Sequence, residues 1–390
     1  MVCKYAYIDN EEEEAKKNIA SINIISPKKF KVEFIRPEDW KTFTDTESIK
    51  KILNKYDGIL IDFRLDNEPV TLDDGTNFHT NYSGLALAQR IREVISFNKD
   101  FKDIPLVIIS TDKYIESYNK EFTGHDLFIW KYLKKNLTNT ESIETLIELS
   151  NGYKQIEACK SNLVNFEEIK NKLFKCTADY LNDVVENSIN NLPENHVHAR
   201  AYYILKKIVL QNGLLISEPL LAARLGIDIQ KSKEWETLKN KFKNFKYNGI
   251  FSKLESKYWE KGFTEWWFTQ ISKNSHYLPL TSNQRVEMIK EKTKISDIKP
   301  IQEYEVQMGK LIFKGRQNYN TICKVTGLPI SSEDAFMIFN PDLENWQYPE
   351  FVFIPAHYFP EKFNKAKKFE YRIDPREKLK EEMWEKRIDG

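Results

Sequence analysis

The stretch at residues 56–67, with the sequence YDGILIDFRLDN, decides the fold of the first part of this chain. Its apolar run from Gly58 to Ile61 ends abruptly at the carboxylate of Asp62. A short apolar run of this kind is typical of a β-strand that is buried on both faces of a parallel sheet. The stretch therefore predicts a buried strand that carries one acidic side chain at its C-terminal tip.

Further apolar runs surround this stretch and alternate with helical segments. The predicted strands are 4–8, 30–35, 58–62, 104–109 and 127–130, and the predicted helices are 11–19, 46–56, 85–95 and 113–122. Strands that alternate with helices favour right-handed crossovers, and hence a parallel sheet that is covered by helices on both faces. We therefore predict a doubly wound α/β fold with a five-stranded parallel sheet for residues 1–150.

Four of the predicted strands end at polar side chains, which are Asp9, Asp62, Ser110 and Lys131. In an open parallel α/β sheet, ligands bind at the carboxyl ends of the strands. A buried strand does not need a polar residue at its end, so four such residues are more than the strand pattern requires. We therefore expect these side chains to form one site.

The motifs DGILID, GLALAQRIRE, IPLVIIST and GHDLFIWK occur in an order that resembles the receiver domain of response regulators. The resemblance covers the first 150 residues and implies that their sheet is flavodoxin-like. It implies that Asp62 accepts a phosphoryl group from a histidine kinase or phosphotransfer partner, and that Asp9 and Asp62 bind Mg²⁺. It also implies that Ser110 and Lys131 hold the phosphoryl oxygens, as phosphoryl transfer requires, and that Phe128 is the switch aromatic.

The same resemblance sets the functional alternatives. Asn10 follows Asp9 where receivers more often carry a second carboxylate, so a degenerate receiver that serves only as a scaffold is one alternative. The implied chemistry is limited to phosphorylation and dephosphorylation of the chain itself, and no other enzyme activity is expected. Receivers joined to unfamiliar C-terminal regions are also associated with bacterial stress and anti-phage phosphorelays.

Residues 151–300 are predicted to be mainly helical and to form an output or interaction region. One helix ends at Gly226 and a Lys-rich segment at 231–247 follows, in a pattern that resembles a helix-turn-helix. Lys239 and Lys243 are then candidate contacts to a DNA backbone, which would make the chain a phosphorylation-controlled DNA-binding regulator. The other interpretation is packing, because glycine commonly caps helices and exposed lysines are ordinary.

Residues 301–390 are predicted to be a small α+β unit. Short apolar runs at 321–327, 335–339 and 350–354 read as strands, and prolines separate them. A charged helix is predicted at 375–387. Cys323 has no partner at metal-ligand spacing, so a zinc site is not expected there.

The composition of the 390-residue chain narrows its class. Its 59 basic and 58 acidic residues give a net charge of +1, which argues against an obligatory polyanion-binding protein. The four cysteines are scattered, so no disulfide framework is expected. No apolar run approaches the roughly 20 residues of a spanning helix. The N-terminus also lacks a signal-peptide pattern. We therefore expect a cytoplasmic protein without a membrane partner, and a homodimer remains open.

Overall fold

The computed structural model describes most of the chain in several segments. They are residues 2–37, 46–66, 70–71, 77–78, 80, 82–111, 124, 126–159, 166–176, 179–181, 183–192, 196–363 and 371–389. The predicted helix at 113–122 lies outside the described residues. Among those that are described, no helix is both long and apolar enough to cross a lipid bilayer.

A five-stranded, all-parallel sheet forms the N-terminal part of the protein. Its strands are β1 (Cys3–Ile8), β2 (Phe30–Ile35), β3 (Gly58–Asp62), β4 (Leu106–Ser110) and β5 (Trp130–Leu133). Their order across the sheet is β2-β1-β3-β4-β5, with every neighbouring pair parallel. This is the strand order of a doubly wound, flavodoxin-like sheet, as the sequence predicts.

Helices flank this sheet and bury their apolar stripes against it. They are α1 (Glu12–Ile25), α2 (Thr46–Lys55), α3 (Gly84–Phe97) and α4 (Thr140–Ala158). In α3, apolar residues recur at helical spacing and enter the same core as β3 and β4. A short antiparallel hairpin, Val70–Thr71 with Asn77–Phe78, lies in the segment between β3 and α3.

The position of β5 differs from the prediction of a strand at 127–130. The observed strand begins at Trp130 and ends at Leu133, with Lys131 opposite Ile108 of β4. Phe128 is buried before the strand begins. The difference arises because β5 is an edge strand whose side chains are only partly covered. Its apolar pattern is interrupted at Lys131, which the sequence interpretation took as the end of the strand.

The described residues form two compact units. The first contains Met1–Lys206 and Gly249–Leu254, and the second contains Lys207–Asn248 and Glu255–Gly390. The first unit thus extends beyond residue 150, the predicted end of the receiver-like domain, because α4 continues to Ala158 and further helical turns pack after it. These turns are Phe166–Ile169, Lys170–Phe174, Asp183–Asn190 and Val197–Tyr202. The last continues as the wider helical turns Tyr203–Val209, and the first unit ends within them, at Lys206.

The second unit begins with a helical part. Its strands Leu215–Ser217 and Lys257–Trp259 pair antiparallel. Its α-helices are Glu218–Leu225, Trp235–Lys239, Glu260–Trp266 and Ser282–Thr293, and shorter helical turns lie at Ile229–Lys231, Asn240–Phe245 and Trp267–Ile271. A core rich in aromatic side chains joins these elements, in agreement with a mainly helical middle region.

Among its described residues, the rest of the second unit contains three small antiparallel sheets and two α-helices. The strand pairs are Glu305–Met308 with Leu311–Lys314, Thr321–Ile322 with Pro329–Ile330, and Ala335–Met337 with Phe351–Phe353. The helices are Ile354–Tyr358 and Lys378–Asp389, and single helical turns lie at Ser332–Asp334, Pro360–Phe363 and Pro375–Glu377. This part has its own apolar core. The observed elements agree with the predicted α+β character.

Candidate acidic site at the carboxyl edge of the sheet

Three buried charged side chains meet at the carboxyl edge of the parallel sheet. Asp9 follows β1, Asp62 ends β3 and Lys134 follows β5. The Nζ atom of Lys134 lies 2.8 Å from Oδ2 of Asp9 and 3.3 Å from Oδ1 of Asp62. It also lies 2.9 Å from Oε2 of the more exposed Glu11. One ammonium group therefore contacts acidic residues from two strand ends and one adjoining turn.

Backbone N–H groups fix the orientation of both aspartates. The N–H of Glu11 donates to Oδ1 of Asp9, and the N–H of Arg64 donates to Oδ2 of Asp62, each at 3.0 Å. In both cases the chain turns immediately after the strand, which brings the N–H two residues later back to the carboxylate. Each aspartate thus has one oxygen bound to the backbone and the other directed at Lys134.

The start of α3 comes very close to the backbone of Asp62. The N–H of Gly84 donates to the carbonyl of Phe63 at 3.1 Å. A Cβ atom at Gly84 would lie 2.1 Å from the carbonyl oxygen of Asp62, so no side chain fits there without a backbone shift. The hydroxyl of Ser83 accepts the N–H of Ala86 and caps the helix. Glycine at position 84 therefore allows α3 to begin directly beside the acidic site.

The charges in this site are not balanced. Burial raises the pKa of Asp62 to about 7, and the negative charge of Asp9 adds to the effect. Burial also raises the pKa of Asp9. Burial opposes the charge of Lys134, but the charges of Asp62 and Asp9 outweigh it and raise the lysine pKa above its usual range. Two buried carboxyl groups share one ammonium group, so the site holds more acid than base, and negative charge is in excess once Asp62 ionises above about pH 7.

Ser110 supplies a buried hydroxyl at the same edge of the sheet. It ends β4, one residue beyond Ile109, which pairs with Asp62 across the two strands. Its Oγ has no hydrogen-bond partner among the residues that the structure describes. Buried hydroxyls normally find a partner, so this group is free to bind an oxygen atom of a ligand.

The lysine that meets the two aspartates is Lys134, and not Lys131 as predicted. Lys131 lies within β5 with its side chain exposed. The two aspartates raise the pKa of Lys134. The error follows from the misplaced strand, since the carboxyl end of β5 is at Leu133. Phe128 stands six residues before Lys134 rather than the expected three, and its role as a switch remains a prediction.

The acidic pair can be tested for its fit to the predicted Mg²⁺. Within the described segments, no group of three or more His, Cys, Asp or Glu side chains is arranged to hold a metal ion. Mg²⁺, however, needs only one or two carboxylates because it keeps several water ligands. Asp9 and Asp62 supply two, together with uncompensated negative charge. The residues present therefore fit Mg²⁺, whose binding remains a prediction.

The two lysines proposed for DNA contact lie in short helical turns of the second unit. The Lys-rich segment 231–247, which the helix-turn-helix resemblance implies to be one helix, instead forms the short helical pieces Trp235–Lys239 and Asn240–Phe245, which bury Trp235 and Phe242 in the core. Lys239 is paired with Glu218 at 3.1 Å and with Glu236 at 2.5 Å. Lys243 is exposed. DNA binding by these lysines remains an alternative without structural support.

No protein-family model matches the sequence, and no curated protein matches it. The chemistry of the site therefore follows from its own residues: two buried carboxylates, one ammonium group and one hydroxyl at the edge of a parallel sheet.

Proposed function

We propose that this chain is a response-regulator-like signalling protein in which Asp62 accepts a phosphoryl group from a phosphohistidine of a kinase or phosphotransfer partner. The observation that carries this proposal is the contact of Lys134 with both Asp9 and Asp62 at the carboxyl edge of a flavodoxin-like sheet. An ion pair that serves stability alone needs only one acid. Two buried acids with excess negative charge fit a site for a cation and a phosphoryl group.

The transfer step has a clear assignment of groups. An oxygen of the Asp62 carboxylate attacks phosphorus, the phosphorus–nitrogen bond of the phosphohistidine breaks, and the imidazole leaves with the bonding electron pair. Lys134 then offsets the negative charge on the equatorial oxygens, and the hydroxyl of Ser110 donates to one of them. Mg²⁺, held by Asp9 and Asp62, would supply further positive charge when it is bound.

The product changes the charge around Lys134. A phosphoryl group on Asp62 adds negative charge and new acceptor oxygens, so Lys134 gains a stronger partner than it has in Asp62 alone. Lys134 begins the helical turn Lys134–Asn136, and α4 begins four residues after this turn, at Thr140. Movement of this lysine therefore changes the start of α4, from which the helical output region continues. Protein interaction is the proposed output.

Phosphorylation is tested with a small phosphodonor. The full chain is incubated with Mg²⁺ and acetyl phosphate, and the intact mass should rise by one phosphoryl group. Asp62→Asn should show no rise. Asp66→Asn is the matched control, because Asp66 lies on the same segment but is exposed and paired with Arg64. The proposal fails if Asp62→Asn is labelled like the wild type, or if the cognate kinase transfers nothing to Asp62.

A degenerate receiver that serves as a scaffold is the second candidate, and the position of Lys134 favours it. Its ammonium group lies between the carboxylates of Asp9 and Asp62 and already neutralises part of their charge. In a scaffold this arrangement would be permanent. Titration with Mn²⁺, measured by water-proton relaxation, distinguishes a phosphate-accepting receiver from a scaffold. A receiver should bind the ion, and Asp9→Asn should weaken this binding. A scaffold should bind no Mn²⁺.

A further inference from the structure

The second unit contains a cavity of about 200 Å³ that the proposed phosphorylation does not use. Its walls are mainly apolar and include Leu220, Leu278, Phe351 and the ring of Tyr348. Among the described residues that line it, Arg224 is the only one with a charged side chain. An apolar cavity with one convergent charged group is typical of a small-molecule site.

Arg224 is buried and only partly satisfied. It lies in the last turn of the helix Glu218–Leu225 and is 6% exposed. Its Nη1 donates to Oε1 of Glu260 at 3.0 Å, and its guanidinium plane lies over the ring of Tyr348, 4.5 Å from the centroid. Its Nε has no hydrogen-bond partner among the residues described. Buried N–H groups almost always have an acceptor, so the unpaired Nε of Arg224 is an exception that a ligand oxygen would remove.

The guanidinium is held in place by its surroundings. Oε1 of Glu260 also accepts from the hydroxyls of Thr264 at 3.1 Å and Tyr277 at 3.3 Å, so the acidic partner of Arg224 cannot move freely. Tyr348 covers one face of the guanidinium. Glu260 occupies Nη1, whereas Nε lacks an acceptor, so a ligand in the cavity that Arg224 lines would bind at the edge that carries Nε. A preorganised edge of this kind matches the two oxygens of a planar acid.

Charge and size define the ligand further. Glu260 already neutralises Arg224 in part, so the site suits a monoanion better than a dianion such as phosphate. Thr321 also lines the cavity and is only partly buried, so its hydroxyl offers a second polar contact. The apolar walls require an apolar body, and a cavity of roughly 150 Å³ is enough for benzene. We propose that this cavity binds a small monocarboxylate with a compact apolar body through Arg224.

Ligand-observed ¹⁹F NMR on the full chain tests this site with 4-fluorobenzoate as the probe. We expect saturable binding of 4-fluorobenzoate, and binding of the neutral 4-fluorobenzamide that is weaker by about tenfold or more, which is the range that a lost charged hydrogen bond reaches. Equal binding of the two probes, or no saturable binding, would overturn the proposal. Unlabelled benzoate and inorganic phosphate are then compared as competitors of 4-fluorobenzoate. If phosphate displaced the probe at the same concentrations as benzoate, the monocarboxylate assignment would be overturned.

Variants connect the binding to the cavity. Arg224→Lys keeps the charge but loses the planar edge, and we expect at least about tenfold weaker binding, because a bidentate pair is lost. Thr321→Val should weaken binding a few-fold, and because Thr321 is only partly buried this variant remains informative if Arg224→Lys does not fold. Arg316→Lys, an exposed arginine of the same unit outside this cavity, is the matched control. Unchanged affinity in the folded Arg224 or Thr321 variant would refute the assignment.

Discussion

Nζ of Lys134 lies 3.3 Å from Oδ1 of Asp62, although β4 separates the strands that carry the two residues. Asp62 ends β3, whereas Lys134 follows the edge strand β5. A long, flexible side chain at the carboxyl edge spans this distance and continues to Asp9. Lys131 lies within β5, three residues before Lys134, and its side chain is exposed.

Replacing Lys134 therefore distinguishes the two lysines. We expect Lys134→Ala to slow the labelling of Asp62 by acetyl phosphate by roughly 100-fold, the loss seen when one preorganised donor to developing charge is removed. Lys131→Ala is the matched control and should be labelled at the wild-type rate. The measurement is a time course of intact mass, with circular dichroism to confirm folding. If Lys131→Ala slowed the labelling and Lys134→Ala did not, Lys131 would be the lysine that binds the phosphoryl group.

The raised pKa of Asp62 predicts a dependence of stability on pH. The folded pKa is about 7 against a usual value of 3.8, so the neutral acid is favoured by folding. The stability that this group contributes is complete below pH 3.8, and it is lost as the pH rises through about 7. Asp62→Asn keeps a neutral group at every pH.

In metal-free buffer, Asp62→Asn should therefore match the wild type near pH 4 and be more stable above pH 7. The expected gain in the free energy of unfolding is between about 1 and 4 kcal/mol, since a tenfold change in protonation is worth about 1.4 kcal/mol. Urea denaturation across this pH range measures it. Asp66→Asn gives the reference for losing an exposed carboxylate. If Asp62→Asn raised the free energy of unfolding equally at every pH, ionisation of the buried Asp62 would not be the cause of the difference.

The sheet could be predicted from the sequence because its inner strands are buried on both faces. β1, β3 and β4 are nearly continuous apolar runs, and the polar residues after them mark the carboxyl edge of the sheet. This reasoning found Asp9, Asp62 and Ser110. It failed at β5, because an edge strand is partly exposed and tolerates Lys131 in its interior. The sequence then offers three candidate lysines, at positions 131, 134 and 135. Only the three-dimensional register shows that Lys134 contacts the two aspartates.

The second unit was less predictable for a different reason. The segment 231–247 has helical composition, yet tertiary packing of Trp235 and Phe242 divides it into short turns. Periodicity reports which residues are buried and not how far a helix runs uninterrupted. Arg224 gave no signal in the sequence, since its significance depends on Glu260 and Tyr348, which are distant in the chain and close in space.

Gly84 should be sensitive to the smallest substitution. In Gly84→Ala the new methyl group would lie 2.1 Å from the carbonyl oxygen of Asp62, so either α3 or the end of β3 must shift. We expect a loss of about 1–3 kcal/mol in the free energy of unfolding, as for overpacked sites, together with slower labelling of Asp62. Chemical denaturation and the mass time course measure the two effects.

Gly315→Ala is the control for this substitution. Its added methyl group would meet no atom closer than 3.4 Å, so little change in stability is expected. If Gly84→Ala and Gly315→Ala lowered the free energy of unfolding equally, the loss would come from replacing a glycine as such. The close approach of α3 to Asp62 would then not be its cause.

His198 anchors the helix Val197–Tyr202 within the first unit. Its Nε2 donates to the carbonyl of Asp126, its Nδ1 accepts from the hydroxyl of Tyr153, and its backbone N–H donates to Oδ2 of Asp103 at 2.8 Å. This arrangement uses the neutral imidazole. Burial lowers the pKa of His198 well below 6.5, and the nearby charge of Arg92 acts in the same direction. The stability that the neutral imidazole of His198 contributes is therefore present above pH 6.5 and is lost as the pH falls below 6.5.

We expect His198→Gln to lower the free energy of unfolding by about 1–3 kcal/mol at pH 7.5, because it leaves buried partners unpaired. The deficit should shrink below pH 6.5 by up to about 1.4 kcal/mol per pH unit, since the wild type alone pays the cost of keeping this imidazole neutral. Urea denaturation at several pH values measures both quantities. His196→Gln, two residues earlier, is the matched control. A deficit that stays constant down to pH 5 would show that His198 acts by packing and not through its neutral hydrogen bonds.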